Sequence, residues 1–473
     1  MRILSIDQGT SGTKAIVVED DGTVSALAEV PVHPQSPAPG AVEQDPAELL
    51  DSVLSSGRRA LADAGGRVDA VALANQGETV LTWDPVSGRP LSTALVWQDS
   101  RAQAVCDRLS DHRELIHQRT GLVLDPYFSA PKMAWLRQQG ATEGVVTTTD
   151  SWLVHQLTGA FVTDAATASR SLVLDVDTTA WDRELLDLFG LAGEQLPEVV
   201  ANDEVVGTTS AFGGDVPVAG LVVDQQAALL AEGCTEVGRA KCTYGTGAFL
   251  LANTGTDAAR SAQGLTTSVA WRTREGVQYC LDGQVYTAAS ALRWLGDLGL
   301  VEDVRQLDGA AAADSDGALF VPALAGLGAP WWRSEARASF SGMSLATTRE
   351  HLVRAVIEGV AATVARLVQV VDTEAGSPVS SLRVDGGLTH STALMQAQAD
   401  LLQVPVEVYP SAHATPLGAA VLARMALTDV DLSHAVWPWS ASYTYEPAWT
   451  SDRAGAFLAR WERAVDATLG DGR

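Results

Sequence analysis

The residues with the clearest potential for chemistry lie in one hairpin near the start of the chain. Residues 3–18 run from an apolar strand through Asp7 into a turn of Gly, Thr and Ser, and a second apolar strand follows. Asp7 is placed to face a Mg²⁺ ion. Small turn residues also bring backbone N–H groups, hydroxyls and a cation close to phosphate oxygens, here through Thr10, Ser11, Thr13 and Lys14. The chemistry implied is ATP handling, although the same residue types also form plain β-hairpins.

A second turn of the same kind lies near the middle of the chain. Residues 241–252 read Lys-Cys-Thr-Tyr-Gly-Thr-Gly-Ala-Phe-Leu-Leu-Ala, which again places a Gly and Thr turn before an apolar strand. Two turns of a phosphate-binding type, one in each half, predict a duplicated architecture.

Length and composition favour two domains without a membrane span. A chain of 473 residues with 46% hydrophobic content is too long for one core, so two domains of roughly 200 residues or more are expected. No apolar run reaches the roughly 20 residues that a bilayer span requires, and the sequence opens on a strand, so we predict a cytoplasmic protein. The four cysteines lack the spacing of a zinc site or a disulfide framework, which predicts buried free thiols.

The charge balance limits the classes of partner. With 32 basic and 58 acidic residues, the net charge of −26 argues against binding to nucleic acid or to anionic membranes. Anionic ATP must therefore meet positive potential that is supplied locally by Mg²⁺, backbone amides, helix N-termini and a few cations.

The elements that would position these residues alternate between strands and helices. Residues 216–223 form a predicted strand that ends on Asp224 and Gln225, and a helix follows over 227–231. Functional carboxylates of α/β folds sit at such junctions, although Asp224 alone is equally consistent with a helix cap. The strand and hairpin series then restarts, so we divide the chain into domains 1–232 and 233–473. Alternating elements in both halves predict α/β domains around a cleft.

Further elements are expected on both sides of this division. Helices are predicted from Asp45-Pro46 to 62, near 100–119, 129–139, 149–157, 182–190 and 288–298, over 351–371 and over 391–402, with strands at 68–75, 80–83, 94–97, 277–282, 381–385 and 404–408 and a loop at 309–317.

Taken in order, these motifs resemble the FGGY family of carbohydrate kinases, and most of all its glycerol kinases. The resemblance extends from Ile3 to about Met425 and rests on 7–10 (Asp-Gln-Gly-Thr), 97–101 (Trp-Gln-Asp-Ser-Arg), 127–136, 150–153, 163–170, 224–228 (Asp-Gln-Gln-Ala-Ala), 243–247 (Thr-Tyr-Gly-Thr-Gly), 320–332 and 385–387 (Asp-Gly-Gly). It implies an α/β fold of two RNase H-like domains of the actin-like ATPase superfamily that flank a deep catalytic cleft. A polyol or sugar would bind in the first domain and MgATP mainly in the second.

The resemblance also assigns roles to single residues. Asp224 would be the catalytic base and Asp7 the metal-side carboxylate. The substrate pocket would be lined by Glu78, Trp97, Tyr127, Asp224, Gln225 and Phe249. The nucleotide would be bound by Thr10, Ser11, Lys14, Thr246, Gly247, Ala289, Arg293, Gly386, Gly387 and His390.

Each assignment has a structural alternative. Glu78 fits a solvated turn residue as well as a pocket residue, and Trp97 and Tyr127 fit ordinary core aromatics. Arg170, Arg293 and Arg337 fit either phosphate contacts or structural ion pairs, and Gly386-Gly387 is also a common turn.

One departure from the resemblance concerns the acceptor. Glycerol-specific members have Arg at the position of Gly77, and its loss removes a fork of donors for terminal hydroxyls. We therefore hypothesise that a larger polyol or a ketose fits better than glycerol, unless another cation reaches the pocket from a loop.

The leading prediction is an ATP- and Mg²⁺-dependent carbohydrate kinase with a polyol or sugar as its acceptor. The alternatives are a pentulose kinase similar to the xylulokinases, and a non-catalytic protein of the same superfamily that ATP switches between two states. A partner is expected among small molecules and not among nucleic acids or membranes, for a protein acting alone, as a homodimer or as a larger homo-oligomer.

Overall fold

The first half of the chain forms a lobe around a six-stranded sheet. The computed structural model describes residues 1–302 and 307–470, so the last residues of the predicted second domain, 471–473, lie outside the described residues. The strands of this half are β1 (Ile3–Gln8), β2 (Gly12–Val18), β3 (Val24–Pro31), β4 (Glu43–Gln44), β5 (Ala70–Asn75), β6 (Val80–Trp83), β7 (Ala94–Leu95), β8 (Val145–Thr148), β9 (Val162–Asp164), β10 (Leu174–Asp175), β11 (Ala180–Trp181), β12 (Glu198–Val200), β13 (Gly207–Thr209) and β14 (Val216–Val223). The helices are α1 (Pro46–Asp63), α2 (Gln103–Arg108), α3 (Arg113–Thr120), α4 (Ser129–Gln138), α5 (Thr149–Thr158), α6 (Ala165–Ala168), α7 (Arg183–Phe189) and α8 (Asp224–Ala231).

The second half forms a lobe around a seven-stranded sheet. Its strands are β15 (Ala240–Tyr244), β16 (Ala248–Gly255), β17 (Thr266–Thr273), β18 (Gly276–Val285), β19 (Leu319–Val321), β20 (Ser339–Ser341), β21 (Leu382–Asp385), β22 (Val406–Val408) and β23 (Tyr443–Tyr445). Its helices are α9 (Ala289–Asp297), α10 (Leu307–Ala310), α11 (Arg349–Glu374), α12 (Thr392–Leu402), α13 (Ala414–Leu427), α14 (Leu432–Ala435) and α15 (Ser451–Gly470). No helix within the described ranges is both long enough and apolar enough to cross a membrane.

The two main sheets repeat one topology. The first sheet has the order β3-β2-β1-β5-β14-β13, in which the central pairs β1/β5 and β5/β14 are parallel and the outer pairs antiparallel. The second sheet follows the same directions in β18-β16-β15-β21-β22-β23, and β17 extends it beside β18. The duplication predicted from the two turns is therefore confirmed.

Local sequence explains why the central strands are buried. Every residue of β5 (Ala-Val-Ala-Leu-Ala-Asn) is buried, as expected for a parallel strand that is covered on both faces. The helix α1 that covers this sheet begins at Pro46, after Asp45 has capped it by accepting from the backbone N–H of Ala47.

Helix α13 belongs to the second half by sequence but packs on the first lobe. It contacts α8 and the strands β1, β5 and β14 of the first sheet. At its closest approach, a Cβ atom added to Gly418 would lie 1.8 Å from the carbonyl oxygen of Ala227, so only glycine allows the two helix backbones to come so near. The first lobe is thus completed by a helix from far along the chain.

Most of the expected elements are present, and the differences have local causes. The helix predicted near 100–119 is divided by a 3-10 turn at Ser110–His112. The loop predicted at 309–317 begins inside α10. The four cysteines are buried free thiols, as predicted. The elements that were not predicted include strand β17 and helices α13 and α15.

Candidate active site

The carboxyl ends of the central strands bring two predicted carboxylates to one edge of the first sheet. Asp7 of β1 lies opposite Ala74 of β5, which in turn lies opposite Val222 of β14. Asp224 follows β14 directly and is the first residue of α8. The capping residue of that helix is Val223, so Asp224 is not the cap, although its Oδ1 accepts from the backbone N–H of Gln225 at 2.7 Å.

Lys241 of the second lobe places a positive charge at this edge. Its buried Nζ donates to Oε1 of Gln225 at 2.7 Å and to Oγ1 of Thr243 at 2.6 Å. Burial raises the pKa of Asp224, and the Lys241 cation opposes that rise more than any other group. The second lobe therefore helps to keep the carboxylate of the first lobe ionised.

A small cavity opens beside Asp224. It has about 290 Å³ of space between atoms, part of which is open to solvent, and five of the six predicted substrate residues line it: Glu78, Tyr127, Asp224, Gln225 and Phe249. The sixth, Trp97, stands behind this wall, with its ring centroid 5.6 Å from that of Tyr127 and 6.0 Å from that of Phe249. Aromatic faces beside carboxylates form a surface that suits a polyol, which presents C–H and O–H groups together.

Glu78 and Arg170 form a buried ion pair in this cavity. Glu78 is only 3% exposed, which excludes the solvated-turn alternative, and it accepts from Nε of Arg170. Arg170 also donates from Nη1 to Oδ2 of Asp282 at 2.7 Å, so the guanidinium joins a first-lobe carboxylate to one on β18 of the second lobe. Of the two alternatives left open for Arg170, the described contacts match the ion pair.

Gly77 lies beside this network. A Cβ atom added to Gly77 would lie 2.9 Å from Cγ2 of Val223 and 4.0 Å from Cδ of Arg170. The direction of a side chain at Gly77 is therefore partly filled, and the cation that reaches the pocket is Arg170. Its Nε donates to Glu78 and its Nη1 donates to Asp282.

The side chains of the first turn are largely engaged within the protein. The hydroxyl of Thr10 donates to Gln76 at 3.0 Å and accepts from Nε1 of Trp97 at 2.9 Å. Ser11 is exposed at the tip of the turn. Lys14 lies opposite Asp7 in the β1/β2 pairing, and its Nζ contacts the carbonyl of Ala412 at 3.3 Å.

The second turn is docked on the start of α9. The carbonyl of Thr246 accepts from the backbone N–H groups of Ala288, at 2.9 Å, and Ser290, at 3.2 Å. A Cβ atom at Gly247 would lie 2.3 Å from the carbonyl oxygen of Val285, so this position requires glycine. Ala289 begins α9, and Arg293 is exposed one turn further along.

A larger cavity of about 2110 Å³ lies on the second-lobe side. Four of the predicted nucleotide residues line it: Lys14, Gly386, Gly387 and His390. The other predicted nucleotide residues, Thr10, Ser11, Thr246, Gly247, Ala289 and Arg293, are not among its lining residues. Gly386 has a φ of 93°, and a Cβ atom there would lie 2.4 Å from the carbonyl oxygen of Tyr244, so a glycine is required at this turn.

The carboxylates between the cavities repel one another. Burial, together with the charges of Asp224, Glu29 and Asp385, raises the pKa of Asp7 to about 7, against the opposing effect of Lys14. Oδ1 of Asp385 is buried and has no hydrogen-bond partner within the described part of the chain. Oxygen ligands that repel one another in this way fit a hard divalent cation. Within residues 1–302 and 307–470, no three acidic, His or Cys side chains are grouped closely enough to hold such an ion alone.

Sequence reasoning missed several residues of the small cavity. Gln226, Asp282 and Gln284 all line it, and two of them come from β18 of the second lobe. Asp282 had the same signal as Asp224, because it was placed at the end of a predicted strand. Gln226 stood inside the quoted motif at 224–228 without being assigned a role.

The repeated sheet, the interlobe cleft and the carboxylate beside a small cavity define an α/β phosphotransferase with the actin-like ATPase fold. The chain belongs to the FGGY family of carbohydrate kinases, since the model of the family's N-terminal domain matches residues 2–231 and that of its C-terminal domain matches residues 240–427. It is therefore a kinase that uses ATP and transfers phosphate to the alcohol group of a polyol or sugar.

Individual relatives agree with this assignment. The chain is 41% identical to a glycerol kinase of Aromatoleum aromaticum, over 99% of both chains, and 38% identical to glycerol kinase 2 of Thermotoga maritima, with the same coverage. It is similar in structure to the glycerol kinase of Plasmodium falciparum crystallised with ADP, with a TM-score of 0.90 and 31% identity over 99% of this chain and 98% of that one. A ligand-bound xylulose kinase of Lactobacillus acidophilus shares the fold, with a TM-score of 0.90 at 21% identity over 99% and 98% of the chains.

Proposed function

We propose that Asp224 is the general base that accepts the proton of an acceptor hydroxyl as the γ-phosphoryl group of ATP arrives from the larger cavity. The observation that carries this proposal is the position of Asp224, which lies at the carboxyl end of β14, lines the small cavity and has Lys241 nearby. Phosphoryl transfer needs positioning and charge neutralisation more than covalent chemistry. An ionised carboxylate within hydrogen-bond reach of the attacking oxygen is therefore sufficient.

The small cavity is proposed to hold the acceptor. Glu78 accepts a hydrogen bond from a second hydroxyl, and its ion pair with Arg170 fixes the direction of that bond. Tyr127 and Phe249, supported by Trp97, cover the C–H face of the acceptor. Gln225, held by Lys241, lies beside the attacking oxygen.

The larger cavity is proposed to hold the nucleotide. Gly386, Gly387 and His390 lie beside the adenosine, while the turns around Thr10, Ser11, Thr246 and Gly247, with Lys14, Ala289 and Arg293, face the phosphates once the lobes close. Asp7, with the phosphate oxygens and water, would hold Mg²⁺, which neutralises the charge of the transferred group when it is bound.

The division of labour between the lobes follows from these sites. We propose that residues 1–232 bind the acceptor and carry the base, and that residues 233–473 bind the nucleotide. A cytoplasmic location is proposed because ATP, the phosphoryl donor, is available there. The acceptor is proposed to be larger than glycerol, because Gly77 lacks the donor fork of the glycerol-specific members.

Replacing the base tests the proposal directly. Asp224→Asn should lower kcat at least 10³-fold at saturating acceptor, because the amide cannot take up the hydroxyl proton. ATP binding, measured by calorimetry or by the ATP-induced rise in Tm, should change less than threefold, because Asp224 lies in the acceptor cavity.

Asp51→Asn, on the exposed face of α1, serves as the matched control and should leave both quantities unchanged. Turnover of Asp224→Asn close to that of the wild type would contradict the proposal that Asp224 is the base. ATP binding that raises Tm in the absence of any phosphorylation by the wild-type protein would instead favour the nucleotide-switched alternative.

A further inference from the structure

We propose that the carboxamide oxygens of Gln226 and Gln284 form a second hydroxyl-binding wall in the small cavity, which selects straight-chain acceptors with four or more hydroxyl groups over glycerol. This inference rests on the proposed function of the cavity as the acceptor site. It adds Gln226 and the β18 residue Gln284 to the groups that contact the acceptor.

Asp282 fixes the orientation of the Gln284 side chain. Oδ1 of Asp282 accepts from Nε2 of Gln284 at 2.5 Å and from Oγ1 of Thr266 at 2.5 Å. Only the NH₂ end of a carboxamide can donate to a carboxylate, so the amide cannot be reversed without losing this bond. The Oε1 atom of Gln284 must therefore point away from Asp282.

Asp282 also fixes Gln226, through one intervening hydroxyl. Ser268 donates its single hydroxyl hydrogen to Oδ2 of Asp282 at 3.0 Å, which leaves its Oγ as an acceptor for other groups. Nε2 of Gln226 donates to that Oγ at 3.3 Å. Because Ser268 donates to Asp282, it can only accept from Gln226, and this fixes Nε2 of Gln226 toward Ser268. Oε1 of Gln226 therefore points away from Ser268.

Both carboxamide oxygens lack a partner. Oε1 of Gln226 and Oε1 of Gln284 are buried and make no hydrogen bond with any described residue of the chain. The two side chains are 1% and 3% exposed, and both line the small cavity beside Asp224 and Glu78. A buried acceptor without a donor is costly, so a group that enters the cavity with a hydroxyl to donate is favoured there.

A count of acceptors gives the substrate class. The carboxylates of Asp224 and Glu78 and the two carboxamide oxygens offer hydrogen-bond acceptors for four hydroxyl groups. Glycerol has three hydroxyl groups, so it would leave one of these oxygens unpaired. A four- or five-carbon polyol or a ketopentose satisfies all four.

Steady-state kinetics with matched leucine variants test this wall. The wild type is expected to have at least a tenfold higher kcat/KM for its preferred tetritol, pentitol or ketopentose than for glycerol. Gln284→Leu and Gln226→Leu should each lower that kcat/KM at least tenfold, because leucine cannot accept the hydrogen bond of the substrate hydroxyl in the transition state. The kcat/KM for glycerol should fall by a smaller factor, because glycerol leaves one of the four acceptors unpaired in the wild type. Gln278→Leu, on the same strand but outside the cavity, should alter neither value.

The wild-type protein gives a second measurement that needs no variant. At equal concentration, the preferred longer acceptor should raise Tm more than glycerol does. A wild-type preference for glycerol, or equal losses of kcat/KM with all acceptors in both leucine variants, would contradict the proposed hydroxyl-binding wall. Neither result would affect the kinase assignment. Failure of the wild type to phosphorylate any polyol or ketose would instead overturn the proposed function on which the wall rests.

Discussion

The ionisation of Asp224 depends on a contact between the lobes. Burial raises its pKa, and Lys241 is the main group that opposes the rise. Because the proposed base must be unprotonated to act, we expect the cation to extend activity toward lower pH. A first-lobe carboxylate is thus adjusted by a second-lobe lysine that also holds the neighbouring Gln225.

Removing the Lys241 charge should move the acidic limb of the pH profile. In Lys241→Met the pKa of Asp224 should rise further, so kcat is expected to fall more at low pH than at high pH, and the acidic limb of the profile should move to higher pH. Lys241→Arg, which keeps the charge, should restore the wild-type limb. Profiles of the methionine variant and the wild type that stay parallel over pH 5 to 9 would show that Lys241 acts only through packing.

At the residue scale, the sequence predicted the strand-end carboxylates but not the network between them. Asp7 and Asp224 follow apolar strands, which is a local pattern that one sequence reveals. Asp282 and Gln284 reach the cavity only because β18 of the second lobe lies against it, and that contact depends on how two distant segments pack. The hydrogen bonds that Asp282 accepts from Arg170 and Gln284 therefore could not be predicted from spacing.

At the element scale, the approach of α13 to α8 is the tightest glycine contact of the fold. Gly418→Ala should lower the free energy of unfolding by about 3 kcal/mol or more, because the added methyl group would overlap the carbonyl of Ala227 and force the helices apart. Thermal and urea unfolding measure the change.

A second helical glycine provides the control for this prediction. Gly455 in α15 has no atom within 4 Å of its added Cβ, so Gly455→Ala should stabilise the protein by about 0.5–1 kcal/mol through helix propensity alone. If Gly418→Ala behaved like Gly455→Ala, the close packing of α13 on α8 would be contradicted.

The elements that the sequence predicted best are those with a strong local period. The long helix expected over 351–371 is present as α11, extended to Arg349–Glu374, and β14 has the bounds that were predicted. Helix α13 was missed because Gly418 and the small residues around it give little amphipathic signal, since that helix is buried on several sides.

At the scale of the whole molecule, many buried carboxylates oppose folding as pH rises. Burial raises the pKa of Asp7 to about 7 and that of Asp150 to about 6. Between about pH 4 and these values, the folded state holds protons that the unfolded state has released. The free energy of unfolding must therefore fall as pH increases through this window.

Asp7→Asn isolates one part of this effect. The variant has no charge to lose, so its stability relative to the wild type should increase from pH 4 to pH 7 and then level off, reaching on the order of 4 kcal/mol for a pKa shift of about three units. Chemical unfolding without nucleotide at pH 4.5, 6 and 8 measures the difference. A difference that stays constant with pH would show that Asp7 has an ordinary pKa in the folded protein.

The position of α13 on the first lobe has a consequence for biosynthesis. The residues that face this helix, among them Ala227 on α8, are translated almost two hundred residues before it. Until α13 is synthesised, the apolar surface of the first lobe that it covers stays exposed, and most of the second lobe is translated in that interval. The first lobe therefore cannot complete its fold in the order of translation. Its exposed apolar surface is a site that a chaperone would be expected to cover during synthesis.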